Sequence, residues 1–278
     1  MSSTVAAAGP GKSPDLIPLD ELNFSTPLDR LERTVVPTEL FFVRSNNPPP
    51  ALVPSEWRLR IDGLVRTPLT LDLAELQGLP ARTEEVWLEC AGNGRSHFDP
   101  PAEGNQWNDF AVGNAVFTGV PLRTLLERAQ VLPGALEMVA TGADADSFQR
   151  ALPLEVAMLP EVLLAWHMNG QAIPGPNGGP VRMVVPRWAG IASVKWPVRL
   201  ELVDRPFRGH FNAERYIFVD GQGRTRGTVR EMPVKSIIAW PARDGTSISV
   251  GRHRLFGFAW SGHGQISRVD VSVDAGRT

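Results

Sequence analysis

The sequence predicts an α+β protein: a large domain of mixed β-sheets with short helices, followed by a partial immunoglobulin-like β domain. Three observations carry this expectation. The 278 residues include 25 prolines and 26 glycines, the turn supply of a β-rich chain. Most apolar runs have strand length, and one segment alone shows a clear helical stripe. From near Arg230 the pattern changes to short alternating segments at regular spacing, as in β-sandwiches. We therefore divide the chain into a flexible N-terminal arm over 1–25, a main domain over 26–229 and a β domain over 230–278.

The first residues are rich in Ser, Ala, Gly and Pro and read as a loose arm. "ELFFVRSNNPPP" predicts a short apolar strand, then a polar turn closed by Pro48, Pro49 and Pro50. "EWRLRIDGLV" alternates Trp57, Leu59 and Ile61 with charged residues, a half-exposed strand entering an Asp-Gly turn. "LTLDLAELQGLP" reads as a strand running into a short helix that stops at Gly78, and "EEVWLEC" as a strand leading into a loop at Cys90. "GVPLRTLLERAQ" places Leu122, Leu125, Leu126 and Ala129 on one helical face, and "ALPLEVAM" predicts another short helix. "VLLAWHMNG", "GGPVRMVVP" and "IASVKWPVRLELVD" read as buried strands. In the β domain "VKSIIAWP", "TSISV", "HRLFGFAWSG" and "ISRVDVSVD" read as strands; the last ends in an Asp-Ala-Gly turn with no return strand. A sandwich of this kind typically needs ~100 residues, so the domain is expected to be truncated.

Composition excludes several classes. A net charge of −2, from 28 basic and 30 acidic residues, gives no sign of nucleic acid as a partner. No apolar run approaches the ~20 residues that span a bilayer. "MSSTVAAAGPGKSPD" has neither a basic start nor a twin arginine, so the chain reads as cytoplasmic as written, or periplasmic if a leader has been removed. A single cysteine rules out a disulfide framework and a multi-cysteine metal site.

That cysteine, Cys90, stands in "VWLECAGNGRSHF" between a strand and a glycine-bounded loop. An isolated cysteine is commonly a small buried hydrophobe. Here Gly92 and Gly94 allow close backbone approach, and the permanent cation of Arg95 favours thiolate. A soft thiolate suits a heavy metal. One protein ligand cannot hold zinc or iron, so such a metal must bring its other ligands with it.

The chain resembles the sulfite oxidase family of molybdenum-cofactor enzymes, in its bacterial branch. The resemblance covers about residues 38–278 and rests on ordered blocks: "FFVRSNNPPP", "LECAGNGRSHF", "LLAWHMNGQAIPGPNGGPVRMVVP", "ASVKWPVRLELVD", "RYIF" and "FGFAWSGHGQISRVDVSVDAGRT". It implies that 26–229 is a molybdopterin-binding catalytic domain and that 230–278 belongs to a dimerisation-type domain. It implies a molybdenum bound by one pyranopterin, by oxo groups and by Cys90 as sole protein ligand, with no haem in this chain. Arg44 and Arg95 would face an oxyanion substrate, since guanidinium grips such anions bidentately. Arg182 would hold the pterin phosphate. Phe42, Val43, Ser45, Asn46, Asp144, Asn177, Ser193, Val194 and Lys195 match cofactor-binding positions. Tyr216, the only tyrosine, would hydrogen-bond substrate or oxo group and relay a proton. Trp107 would line the substrate pocket.

Three departures bear on the substrate. Asn46 and Asn177 stand where vertebrate-type members carry histidines, and Gly94 replaces an arginine. The chain also stops before a block that carries a further substrate arginine in animal enzymes. The implied activity is oxidation of sulfite to sulfate, with electrons passing to an external acceptor such as a c-type cytochrome or oxygen, in a possible homodimer. Two alternatives stay open: a reductase of nitrate or a sulfoxide with the same cofactor, and an inactive truncated scaffold.

Overall fold

The apolar run Leu163–Met168 forms the middle of a five-stranded antiparallel sheet in the computed structural model, which describes residues 8–31, 33–241, 247–274 and 276–278. One edge of this strand pairs with Val112–Pro121, which pairs in turn with Arg82–Glu89. Gln171–Ala172 and Arg182–Val184 pair with it from the other side. Leu164 and Trp166 enter one apolar cluster, while Leu163 and Ala165 enter another. Both faces are covered, so the strand shows continuous apolar sequence instead of alternation.

A second five-stranded sheet runs in the order Leu69–Asp72, Arg58–Gly63, Pro197–Val203, Glu137–Gly142, Gln149–Pro153. Only the pair Arg58–Gly63 and Pro197–Val203 is parallel. Leu59, Ile61, Leu200 and Leu202 point from this sheet into the larger cluster, where Leu164 and Met183 meet them from the first sheet. The helix Leu122–Ala129 buries the predicted stripe, Leu122, Leu125, Leu126 and Ala129, in the same cluster. Leu73–Gln77 is the helix expected after Leu69–Asp72. Asp72 and Glu75 close a reciprocal capping box at its start, and Gly78 ends it. The short helix Leu154–Ala157 also forms.

The structure corrects four expectations. "ELFFVRS" makes no strand, only a 3-10 turn at Thr38–Leu40 and an isolated bridge between Phe24 and Val43. Its apolar residues go to different places: Phe41 and Phe42 to the cluster behind the first sheet, Val43 to a small cluster with Leu16 and Phe24. From Ala8 onward the segment expected to be a loose arm is docked. Leu16 and Phe24 are buried, and Ile17–Pro18 pairs with Phe24–Ser25.

Of the four segments expected as strands in the β domain, Lys235–Trp240 and Phe256–Trp260 form an antiparallel pair. Thr246 of "TSISV" lies outside the described residues, and 247–250 contains no strand. "ISRVDVSVD" is not a strand either. Alternation marks an apolar face, but a strand also needs a neighbouring ladder, and the described residues bring none to it. Val269, Val271 and Val273 stay exposed. Among the described residues no helix is long and apolar enough to cross a membrane.

Candidate active site

Cys90 follows directly on Arg82–Glu89, anchored by its N–H to the carbonyl of Ala111 at 2.9 Å. Its side chain borders a pocket of about 730 Å³ at the junction of the two large sheets and the segment carrying Tyr216. Phe42, Arg44, Ser45 and Asn46 line it from the chain after Thr38–Leu40, and Asn177 and Arg182 from the turn before and the start of Arg182–Val184. Ser193, Val194 and Lys195 line it beside the Gly190–Ala192 turn, with Asp144 and Tyr216 completing the ring. Twelve of the fifteen residues singled out from the sequence line this pocket; Val43, Arg95 and Trp107 do not.

The electrostatics are lopsided. Arg44, Arg182 and Lys195 line the pocket, and Asp144 is the sole acid there. The Asp144 carboxylate is already engaged by Asn47 Nδ2 at 3.1 Å and the Phe148 N–H at 2.9 Å. Arg182 donates to the carbonyl of Asn177 at 2.8 Å, while its buried Nε has no partner. Burial pulls the Arg182 pKa down to about 10. Lys195 donates to Ser45 Oγ and to the Pro176 carbonyl at 3.0 Å, and its ammonium lies 4.4 Å from the centre of the Trp196 ring. Burial first, then Arg182 and Arg44, push its pKa well below the ordinary lysine value. Cations gathered without counter-charge favour an entering anion.

The thiol is set against its neighbours in the opposite sense. Burial raises the Cys90 pKa despite Arg44, the Gly92 N–H and Arg95, which all lower it. The sequence-based expectation that Arg95 favours thiolate is therefore outweighed by desolvation. A metal replaces the proton of such a thiol when it binds. Arg44 reaches Asn46 Oδ1 at 2.6 Å and hydrogen-bonds the Tyr216 hydroxyl. Burial raises the Tyr216 pKa, with Arg44 acting against it, so the phenol is protonated and able to donate.

Three expected site residues do not line the pocket. Val43 packs on Leu16 and Phe24, because its backbone pairs with Phe24 through two hydrogen bonds of 2.9 Å and turns the side chain away. Trp107 is 1% exposed in the cluster behind the first sheet, its indole N–H buried without a partner. Arg95 lies in a slot made by missing side chains: a Cβ on Gly104 would stand 2.5 Å from its Nη1, and one on Gly92 3.0 Å. It donates to the Asn105 carbonyl at 3.2 Å and acts on Cys90 and Tyr216 only through its charge. Phe148, Ile191 and Trp196 line the pocket without having been singled out. Their types are those of ordinary core residues, and nothing in their spacing marks them.

The donor set fits a metal that arrives with its own ligands. Among the described residues no group of three or more His, Cys, Asp or Glu could hold a metal ion. One sulfur, an unpartnered guanidinium nitrogen and uncompensated cations suit a chelated heavy metal carrying an anionic tail.

Comparison with known proteins agrees with this geometry. Residues 46–211 match the family described as oxidoreductase molybdopterin binding domain, and residues 226–278 match the Mo-co oxidoreductase dimerisation domain. The sulfite oxidase of Gallus gallus is 37% identical over 269 residues, covering 89% of this chain and 58% of that protein. The nitrate reductase [NADH] of Solanum lycopersicum is 29% identical, covering 92% of this chain and 32% of that protein. The crystal structure of the sulfane dehydrogenase SoxCD from Paracoccus pantotrophus superposes with a TM-score of 0.84 at 34% identity, covering 96% of this chain and 69% of that one. The chain thus spans 58% of the length of the chicken protein and 49% of its Homo sapiens counterpart.

Proposed function

We propose a function from one premise: the chain belongs to the sulfite oxidase family of molybdopterin-binding oxidoreductases. On that premise it oxidises sulfite, or a small sulfur oxyanion like it, by oxygen-atom transfer at a molybdenum–molybdopterin cofactor. The supporting observation is the pocket itself, where a single thiol faces an excess of cations. When bound, the cofactor supplies two-electron redox chemistry and the transferable oxygen.

The residues of this chain then take distinct tasks. Cys90 Sγ would be the protein ligand to the metal. Arg182, whose buried Nε has no partner, and Lys195 would hold the anionic end of the pterin. Phe42, Ser45, Asn46, Asp144, Asn177, Ser193 and Val194 form the walls that orient it. Arg44 neutralises the substrate's charge, which a dry pocket would otherwise make costly, and Arg95 adds a second, more distant positive field. The protonated Tyr216 hydroxyl, held by Arg44, donates to a substrate oxygen and can pass a proton. Electrons leave to an external acceptor, a c-type cytochrome or oxygen, and residues 226–278 assemble two chains into a homodimer.

A sulfur substrate is favoured over nitrate because the relatives named for sulfur chemistry are 37% and 34% identical, against 29% for the nitrate reductase. The test pairs molybdenum analysis of protein made under cofactor-replete conditions with two assays, sulfite-dependent reduction of ferricyanide and nitrate-dependent oxidation of reduced viologen. Near-stoichiometric molybdenum with the first activity is the expected result. The second activity alone would assign a reductase, and protein without molybdenum would leave a scaffold.

A further inference from the structure

We infer that Glu89 is a positioning residue for the Cys90 loop, and that the C-terminal strand pair provides the groups that hold it there. This rests on Cys90 being the metal ligand.

Glu89 ends the strand before Cys90 and is 0% exposed. A buried carboxylate is strongly unfavourable unless its oxygens are fully engaged. Three side chains engage this one. Lys235 Nζ stands 2.7 Å and Asn93 Nδ2 3.0 Å from Oε1, and Trp260 Nε1 donates to Oε2 at 2.8 Å. Lys235 and Trp260 are directly opposite each other in the pairing of Lys235–Trp240 with Phe256–Trp260. Opposed residues leave the sheet on one face, so a single register delivers both donors to the two oxygens of one carboxylate.

The third donor belongs to the loop. Asn93 gives its backbone N–H to the Cys90 carbonyl at 2.9 Å, and its side chain accepts from the Ala111 N–H at 2.9 Å and donates to the Asp109 carbonyl at 3.1 Å. Lys235 also reaches the Asn93 carbonyl, at 3.4 Å. It therefore grips the residue before Cys90 and the one three after it. From the far side the Gly190–Ala192 turn closes on the same point: a Cβ on Gly190 would stand 2.9 Å from the Glu89 carbonyl oxygen. The sulfur is thus fixed through an ion pair whose carboxylate is buried and whose cation, 31% exposed, comes from a strand 146 positions further along the chain. The C-terminal strand pair does more than offer a surface to a second copy. It sets the loop that presents the ligand.

Because Cys90 is the only cysteine of the 278 residues, its exposure can be read in this chain made without cofactor. An aromatic disulfide reagent forms a mixed disulfide with the thiolate and releases a coloured thiolate. Lys235→Met leaves the buried carboxylate without its cation, and we expect labelling about tenfold faster as the loop opens locally. Trp260→Phe keeps an aromatic ring but loses the N–H together with the five-membered part of the indole, and should accelerate labelling about threefold. The double variant Glu89→Gln with Lys235→Met leaves no uncompensated charge and should return towards the wild-type rate. Leu71→Ala, in an edge strand of the other sheet, lowers global stability and should leave the rate unchanged. Wild-type labelling in Lys235→Met would overturn the inference. So would equal acceleration in Leu71→Ala. Should Lys235→Met fail to fold, Trp260→Phe decides alone: acceleration supports the inference and the wild-type rate sinks it. The readout needs no cofactor, so its failure leaves the proposed oxidation intact, and a chain without molybdenum leaves this result standing.

Discussion

Among the described residues the Cys90 sulfur accepts one weak hydrogen bond, from the Gly92 N–H at 3.4 Å. Replacing sulfur by oxygen there should cost the fold little. Cys90→Ser is therefore expected to keep its circular dichroism and melting temperature within a few degrees while losing molybdenum and sulfite turnover, since a hydroxyl is a far poorer soft-metal ligand. Metal analysis beside a melting curve checks both halves, and retained wild-type turnover would remove Cys90 from the site. Tyr216→Phe keeps the ring against Phe211, whose centre lies 6.2 Å away, and loses the hydroxyl held by Arg44. Turnover should fall about 10²-fold with molybdenum content unchanged, the loss expected of a proton-transferring group; equal rates would exclude the phenol from the chemistry.

At this scale Cys90, Arg44, Arg182, Lys195 and Tyr216 were legible because each is scarce or sits in a recognisable block. Direction was not. A residue type does not say which way its side chain leaves the backbone, so Val43 and Trp107 were placed in a pocket that they back onto. Arg150 was missed altogether. It is fully buried, its pKa pulled down to about 10 by burial, and it donates to the carbonyls of Phe211 and Val229 while Val229 N–H bonds the Tyr216 carbonyl at 2.7 Å. Nothing in "SFQRALP" separates that arginine from a solvated one.

Among the elements, the N-terminal segment departs most from its sequence. Its Ser, Ala, Gly and Pro content signals looseness, yet Lys12 Nζ donates to the carbonyls of Thr38 and Phe41, the latter at 2.8 Å, and to Asn177 Oδ1 at 3.0 Å. Asn177 in turn donates to the Phe42 carbonyl at 3.1 Å. A single lysine thus ties the segment to two walls of the pocket, and no local pattern announces such a long-range contact. Burial lowers the Lys12 pKa to about 7, with Glu39 the charged group acting against it. Between about 7 and the ordinary lysine value the folded chain binds fewer protons than the unfolded one, so this group makes stability rise with pH across that window and leaves a penalty below it. Lys12→Met lacks the titration. The melting-temperature difference between wild type and Lys12→Met should move in favour of wild type as pH rises from 7 to 10, and a difference independent of pH would show that the ammonium is not desolvated. Arg58–Gly63, Leu69–Asp72, Arg82–Glu89, Leu163–Met168, Arg182–Val184 and Pro197–Val203, in contrast, were readable, because burial on one or both faces writes itself directly into alternation or continuous apolar runs, whereas Val112–Pro121, Glu137–Gly142 and Gln149–Pro153 were not read as strands from the sequence.

For the whole molecule, the feature that calls for a partner is the apolar surface of the C-terminal part. Val250 and Val273 are almost fully exposed, and Val234, Val269 and Val271 are each more than half exposed. Scattered exposed valines are ordinary, but several in one short stretch of chain mark a face that another surface covers. The alternation of Val269, Val271 and Val273 with Asp270, Ser272 and Asp274 was visible in the sequence. What it could not tell is that this face turns outward and not into a sandwich, since alternation identifies an apolar side without naming what lies against it. Residues 226–278 match a dimerisation domain, so a second copy is the expected cover. Sedimentation velocity over a concentration series should show a dimer, and Val269→Lys with Val271→Lys should shift it towards monomer, because each lysine places a charge in an apolar contact. The two substitutions lie on exposed positions and take nothing from the core of the chain, so the melting temperature of the monomer provides the control. A double variant that stays dimeric at the wild-type concentration would place the interface elsewhere on the molecule.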